Sequence, residues 1–338
     1  MTSFGFGVVG TGMIAREVAD AIQQAGNARL VAVSSRSLSR AEAFVAGRAG
    51  TQAVEGLEPL LARDDVAAVY VGIPTALKEA VALASTAAGK HVLVDKPFMD
   101  AASVERMADA AAAAGLVFMD ATHFVHHPRR DAVRAAADEQ IGKRFGLQCV
   151  FYSPLDDRSD IRFDPTLEPT GALGDLGWYC MRAIVEYLRP EGAVSEAEVV
   201  LRRDTSTGAV TEAIGAFGFE SGETMTFGSG FQCGTRLEDF RLLGEKGALA
   251  MDDFVMNWTN SIGSQAADVP TGYTIRTRSM TPQDFVFTET PSKASQHVLM
   301  IEDFVNLAGS DDTEARSAYA NASIQTQSLL DVVWAAAI

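Results

Sequence analysis

Phe4-Gly5-Phe6-Gly7-Val8-Val9-Gly10-Thr11-Gly12-Met13-Ile14-Ala15 runs from a short apolar strand through a glycine turn into a helical pattern. Glycine at 10 permits a tight turn, and glycine at 12 lets backbone amides approach a pyrophosphate. The small Ala15 lets the helix lie close to the strand. Phosphates would then sit on the helix N-terminus, where unpaired N–H groups and the helix dipole favour an anion. With a strand before it and a helix over residues 11–24 after it, this GxGxxA reads as a dinucleotide-binding turn, with Gly10, Thr11, Gly12, Met13 and Ile14 as cofactor contacts. A plain strand-to-helix turn is the alternative reading.

Working outward, residues 30–34 read as a strand, 38–46 as a helix, 66–72 as a continuous apolar strand, 76–88 as an alanine-rich helix and 91–94 as a strand. Asp100 is placed to cap a helix over 101–114, and 116–119 closes the series. Strands apolar on both faces and alternating with helices predict a doubly wound α/β sheet, parallel and covered on both sides. After about residue 122 the rhythm changes. A glycine-rich helical segment at 171–188 is followed by β-type runs at 197–203, 209–219, 223–231, 240–243, 248–251 and 273–277, then by helical patterns at 296–308 and 313–336. The expectation is a Rossmann domain over 1–122 and an α+β domain with a mostly antiparallel open sheet over 123–338. Residues 260–272 are expected to form an exposed, mobile loop.

The end of the second strand bears on which dinucleotide is taken. NAD-selective sites usually place a carboxylate there, whereas this chain has Ser34-Ser35-Arg36-Ser37 with Arg40 one turn on. Arg36 can meet a 2′-phosphate or stack on adenine, and serines such as Ser35 can donate hydrogen bonds to it, so NADP is expected over NAD, with NAD still possible. Ligands of doubly wound sheets bind outside the carboxyl ends of the strands. Ile73-Pro74-Thr75 and Asp95-Lys96-Pro97 both fall there, on the side where a nicotinamide ring would lie.

Composition sets the surroundings. The 338 residues are 47% hydrophobic, enough for a large core and two domains. A formal charge of -16 and a pI of about 4.7 argue against nucleic acid and against an anionic membrane surface, leaving small molecules as the expected partners. Cys149, Cys180 and Cys233 show no metal-ligand spacing and read as reduced, buried residues. With no leader-like N-terminus and no apolar run near the roughly 18 residues of a membrane span, cytoplasmic residence is expected.

Four ordered motifs, GTGMIA at 10–15, VYVGIPTALKEAV at 69–81, GKHVLVDKPF at 89–98 and GALGDLGWY at 171–179, with QHVLMIEDF at 296–304 and SIQTQSLLDVV at 323–333, make the chain resemble the glucose-fructose oxidoreductase and inositol dehydrogenase (Gfo/Idh/MocA) family. The resemblance implies a Rossmann domain followed by an α+β domain whose open sheet makes oligomer contacts, here a homodimer or homotetramer. It implies that Lys96, in Asp95-Lys96-Pro97 where the family has Glu-Lys-Pro, lies near the nicotinamide. It also makes Asp175 and Tyr179 the second catalytic element. Tyrosine rather than histidine at 179 is similar to the dihydrodiol and xylose dehydrogenase side of the family. Spacing of four on a helix puts both side chains on one face.

The chemistry is coherent on its own terms. Oxidising an alcohol needs a base for the hydroxyl proton, and Tyr179 can serve. A tyrosine pKa near 10 is too high alone, and a neighbouring Lys96 ammonium would favour the phenolate while Asp175 orients substrate or relay. The expected activity is hydride transfer between NADP and an aldose or related cyclic polyol or diol. A redox-neutral, nicotinamide-using glycosidase and a non-catalytic dinucleotide sensor are the alternatives. His123 and Arg162 are candidate substrate contacts. Two departures from the family pattern, Val125 where an arginine often precedes the proline and Lys78 where a histidine is frequent, bear on the substrate. The adjacent His126-His127 pair lacks partners at ligand spacing, so no metal is expected.

Overall fold

The computed structural model describes residues 4–258, 269–278 and 280–337. Most of the loop expected at 260–272 therefore lies outside the described residues. The chain divides into two compact units, residues 1–126 with 295–324 and residues 127–294 with 325–338.

In the first unit β1 (Phe4–Val9), α1 (Met13–Gln24), β2 (Ala28–Ser35), α2 (Leu38–Val45), β3 (Gln52–Glu55), α3 (Glu58–Leu61), β4 (Ala68–Val71), α4 (Thr75–Ala87), β5 (His91–Val94), α5 (Ala101–Ala113) and β6 (Phe118–Asp120) follow in order. The six strands are all parallel in the order β3-β2-β1-β4-β5-β6, the doubly wound arrangement. Val8, Val69, Tyr70, Val92 and Leu93 are buried in the central strands, as a sheet covered on both faces requires, each contributing roughly 1.5–3 kcal/mol of transfer free energy. Asp100 caps α5 as expected: its carboxylate accepts from the Ser103 amide at 2.6 Å. The edge strand β3 and the single turn α3 go beyond the sequence expectation.

In the second unit α6 (Arg129–Ala136) leads to β7 (Arg144–Tyr152), then a helical stretch containing α7 (Trp178–Ala183), then β8 (Val194–Arg203), β9 (Val210–Phe219), β10 (Thr224–Gly230), β11 (Phe240–Gly244), β12 (Gly247–Met251), β13 (Gly272–Arg276) and β14 (Val286–Glu289). Their order is β14-β13-β12-β11-β7-β10-β9-β8, antiparallel except where β7 runs parallel to β10. One face is buried by Leu147, Cys149, Phe217, Met225, Phe227, Leu242 and Leu249. The opposite face carries Val200 and Ile214, cross-strand partners that are 64% and 43% exposed.

Two helices close the chain, α8 (Gln296–Ala308) and α9 (Thr313–Ala336), with the bounds expected from the sequence. Their allegiance differs from the expected division. All of α8 and the first half of α9 belong with the nucleotide-type sheet, and the first break falls between His126 and His127. The reason is packing. Phe304 of α8 meets Phe6 of β1 at 5.5 Å between ring centroids, Asn27 donates to the Glu302 carbonyl at 3.0 Å, and Ser323 of α9 donates to the buried Asp120 carboxylate at 2.5 Å.

Candidate active site

The β1–α1 turn is built around two glycines that act differently. Gly10 has φ +114°, and a Cβ there would stand 2.2 Å from the Gly72 carbonyl oxygen, so no larger residue fits without moving β4's exit. Gly12 is the N-cap of α1, has no side-chain cap bond, and would have nothing within 4 Å of an added Cβ. The uncapped helix terminus therefore faces open space, the setting in which a pyrophosphate is held by amides. At the end of β2, Ser34 is buried and its hydroxyl donates to the Gly56 carbonyl at 2.6 Å and Ser35 is half-buried, while beyond the strand Arg36 and Arg40 stand exposed. These residues fit a dinucleotide carrying a 2′-phosphate.

The exits of β4 and β5 are joined by a buried lysine. Lys78 is 2% exposed, and its Nζ donates to the carbonyl oxygens of Lys96 at 2.8 Å and Pro97 at 2.9 Å and to the Thr75 hydroxyl at 3.2 Å. The Lys96–Pro97 peptide is cis. Lys96 itself is 9% exposed. His123, in a short 3-10 turn at His123–His126, lies in the same unit and within electrostatic reach of Lys96. Its ring lies against that of His297 of α8, tilted by 31° with 4.2 Å between centroids. Burial, then the His297, Lys96 and His126 charges, push the His123 pKa well below the usual imidazole value, and burial likewise takes His297 to about 4. His126 pairs with Asp303 at 2.8 Å, whereas His127 accepts from the Arg129 amide, so the adjacent histidines have separate roles.

In the second unit Asp175 lies in a π-helical turn, Leu173–Gly177, that runs into α7 with Tyr179 in its first turn. The spacing of four is thus read partly through a widened turn rather than a regular α-helix; such π-bulges are frequent at functional sites. Gly171 opens the segment at φ +49° with its Cα against the Val210 backbone, where a Cβ would be 2.3 Å from the carbonyl oxygen. Tyr179 is buried and meets Phe151 of β7 at 5.5 Å. Arg162, the candidate substrate contact, bonds to two carboxylates: Nε donates to Asp175 Oδ2 at 2.6 Å and Nη1 to Asp160 Oδ1 at 3.1 Å. Asp175 first, and Asp160 against the opposing effect of burial, hold the guanidinium pKa above its ordinary value.

The profile described as oxidoreductase family, NAD-binding Rossmann fold, matches residues 4–122, and that of the GFO/IDH/MocA C-terminal domain matches residues 130–250. The chain belongs to the Gfo/Idh/MocA oxidoreductase family. It is similar to the dTDP-3,4-didehydro-2,6-dideoxy-alpha-D-glucose 3-reductase of Streptomyces antibioticus, with 34% identity over 250 residues, 73% of this chain and 75% of that protein. D-xylose 1-dehydrogenase (NADP(+)) 2 of Haloferax volcanii is 30% identical over 67% of this chain and 69% of its own length. A 3-ketoreductase from Actinomadura kijaniata, crystallised with NADP and TDP-benzene, superposes with a TM-score of 0.87 at 27% identity, covering 99% of this chain and 98% of that one.

As a member of this family the chain is an NAD(P)-dependent dehydrogenase or reductase. Its two departures take a physical meaning. Val125 is a buried apolar residue, and Lys78 points at the backbone of the Lys96 loop. The sequence reading assigned no role to Lys78, His297 or Phe151. For Lys78 a signal existed: Thr75, Lys78, Ala82 and Ser85 share the buried face of α4 at helical spacing, so the ammonium had to find acceptors inside.

Proposed function

We propose that the chain is an NADP-preferring oxidoreductase moving hydride between the nicotinamide and a ring carbon of a sugar, alcohol on one side of the reaction and ketone or lactone on the other. The observation that carries this is the joint exit of β1, β4 and β5: an uncapped α1 terminus for phosphates, exposed Arg36 and Arg40 beyond β2, and Lys96 at the carboxyl edge. Bound NADP(H) supplies the hydride acceptor or donor. Lys96 and Tyr179 handle the hydroxyl proton, and Asp175, held by Arg162, orients the substrate hydroxyl. Variants of the Actinomadura reductase at a lysine and at a tyrosine have been solved, the residue types given the proton here.

Sugar substrates are supported by relatives named as sugar reductases and as xylose and inositol dehydrogenases. Several of these relatives act on dTDP-linked keto sugars, so the substrate class extends from free aldoses and cyclic diols to nucleotide-linked sugars. The exposed sheet face bearing Val200 and Ile214 is the surface through which two or four copies associate. The test is a panel of aldoses, diols and dTDP-keto sugars, followed at 340 nm with each cofactor, on protein sized by light scattering. The expectation is net NADP(H) turnover with a sugar by a dimer or tetramer. Equal or better efficiency with NAD removes the cofactor preference, sugar cleavage without net reduction points to a glycosidase, and a monomer removes the sheet interface.

A further inference from the structure

We propose that Lys78 is a positioning residue for Lys96, fixing the backbone of its loop and thereby the aim of its side chain. This rests on the proton-handling role given to Lys96 above. The ammonium, with three N–H donors, counts three oxygens among its partners, two of them the carbonyls of the consecutive residues Lys96 and Pro97. The third, the Thr75 hydroxyl, belongs to the exit of β4, and that hydroxyl also reaches the Pro97 carbonyl at 3.5 Å. One buried charge thus ties the two loops that flank the nicotinamide position.

Stability alone gives no reason for a lysine here. Taking an ammonium out of water is costly, and a well-packed apolar residue at a buried charged position is often neutral or stabilising. What the ammonium provides is direction. Lys96 carries its nitrogen on a flexible four-carbon stem, so a shift of its Cα is passed on to the Nζ, and misplacement of a reacting group by about 1 Å costs on the order of 100-fold in rate.

The experiment compares Lys78→Met, which keeps an unbranched side chain and removes the donors, with Lys78→Arg, which restores them, and with Lys96→Met. Turnover is measured with a sugar from the panel, and amide exchange is measured on the NADPH-loaded protein without substrate. Lys78→Met is expected to lower kcat about 10- to 100-fold while KM for NADPH stays within about threefold. Exchange should quicken about tenfold at residues 95–98 and not elsewhere, and Lys78→Arg should recover most of kcat. Unchanged kcat in a folded Lys78→Met protein overturns the proposal. So does faster exchange spread through the chain with a matching loss of melting temperature and no recovery by arginine. If the methionine variant does not fold, Lys78→Gln takes its place under the same criteria. Turnover retained by Lys96→Met overturns the role of Lys96 and this proposal with it, whereas an inactive Lys96→Met beside a fully active Lys78→Met overturns the Lys78 role alone.

Discussion

Lys78 grips the Lys96 loop by its carbonyl oxygens, whereas Arg162 grips Asp175 by its carboxylate. The two holds have different consequences. A hold on the main chain does not use the side-chain head, which for Lys96 is the group given the proton in the proposed function. A carboxylate bonded at one oxygen to a guanidinium is fixed in direction and keeps its remaining lone pairs, so it serves as an oriented acceptor. The difference fits the proposed roles, proton transfer for Lys96 and Tyr179 and alignment for Asp175.

Removing the head of the main-chain-held residue should therefore have the largest effect. Lys96→Met is expected to lower turnover by about 10²- to 10⁴-fold, the usual span for a general acid or base, with NADPH affinity by fluorescence titration within about threefold of the parent. Turnover near the parental rate removes Lys96 from the mechanism.

Releasing the side-chain-held residue should do less. Arg162→Gln gives up the bonds to Asp175 and Asp160, and a role in alignment predicts about 10- to 100-fold lower kcat/KM for the sugar with KM for NADPH unmoved. Arg162 is 27% exposed and Asp175 18%, so solvent screens the pair only in part, and leaving both carboxylates without their cation should also lower the melting temperature. Parental kcat/KM for the sugar means that Asp175 needs no such hold.

The same comparison explains what was legible in the sequence. The first unit announces itself locally. Its strands are short apolar runs each followed by a helix, the turn glycines lie within three residues of one another, and Asp100 caps α5 through a residue three positions on. Where the sequence fell short, the missing information was non-local. β7 is a continuous strand that takes its place by lying parallel to β10, more than seventy residues later, and its Phe151 walls Tyr179. Edge strand β3 is four residues with little burial, too short for a pattern. The motif in α8 is visible in the sequence, but its place beside β1 depends on Phe6, Asn27 and His123, all distant along the chain. Arg162 and Asp175 both stand out as candidates, and only the fold makes them partners.

Protonation separates the two holds as well. His123 and His297 pack in the unit that carries Lys96, and both are kept neutral by burial, His297 with a pKa of about 4 against an ordinary 6.5. A histidine with a depressed folded-state pKa stabilises the fold fully above 6.5 and loses that contribution as pH falls from 6.5 toward 4, because the unfolded chain then binds more protons. At pH 5.5, one unit into that window, the loss from His297 is on the order of 1 kcal/mol. His123 adds to it in the same direction. Replacing His297 by Phe keeps a ring against His123 and removes one of the depressed protonation sites, a set that also includes His91 and His127, so the melting temperature should fall less between pH 7.5 and 5.5 than in the parent. Amide exchange should show the acid-induced loosening in the first unit, including α8, before it reaches the Arg162–Asp175 segment. Equal pH slopes for the parent and His297→Phe would show that acid acts elsewhere, and loosening that starts around Asp175 would reverse the ranking of the two holds.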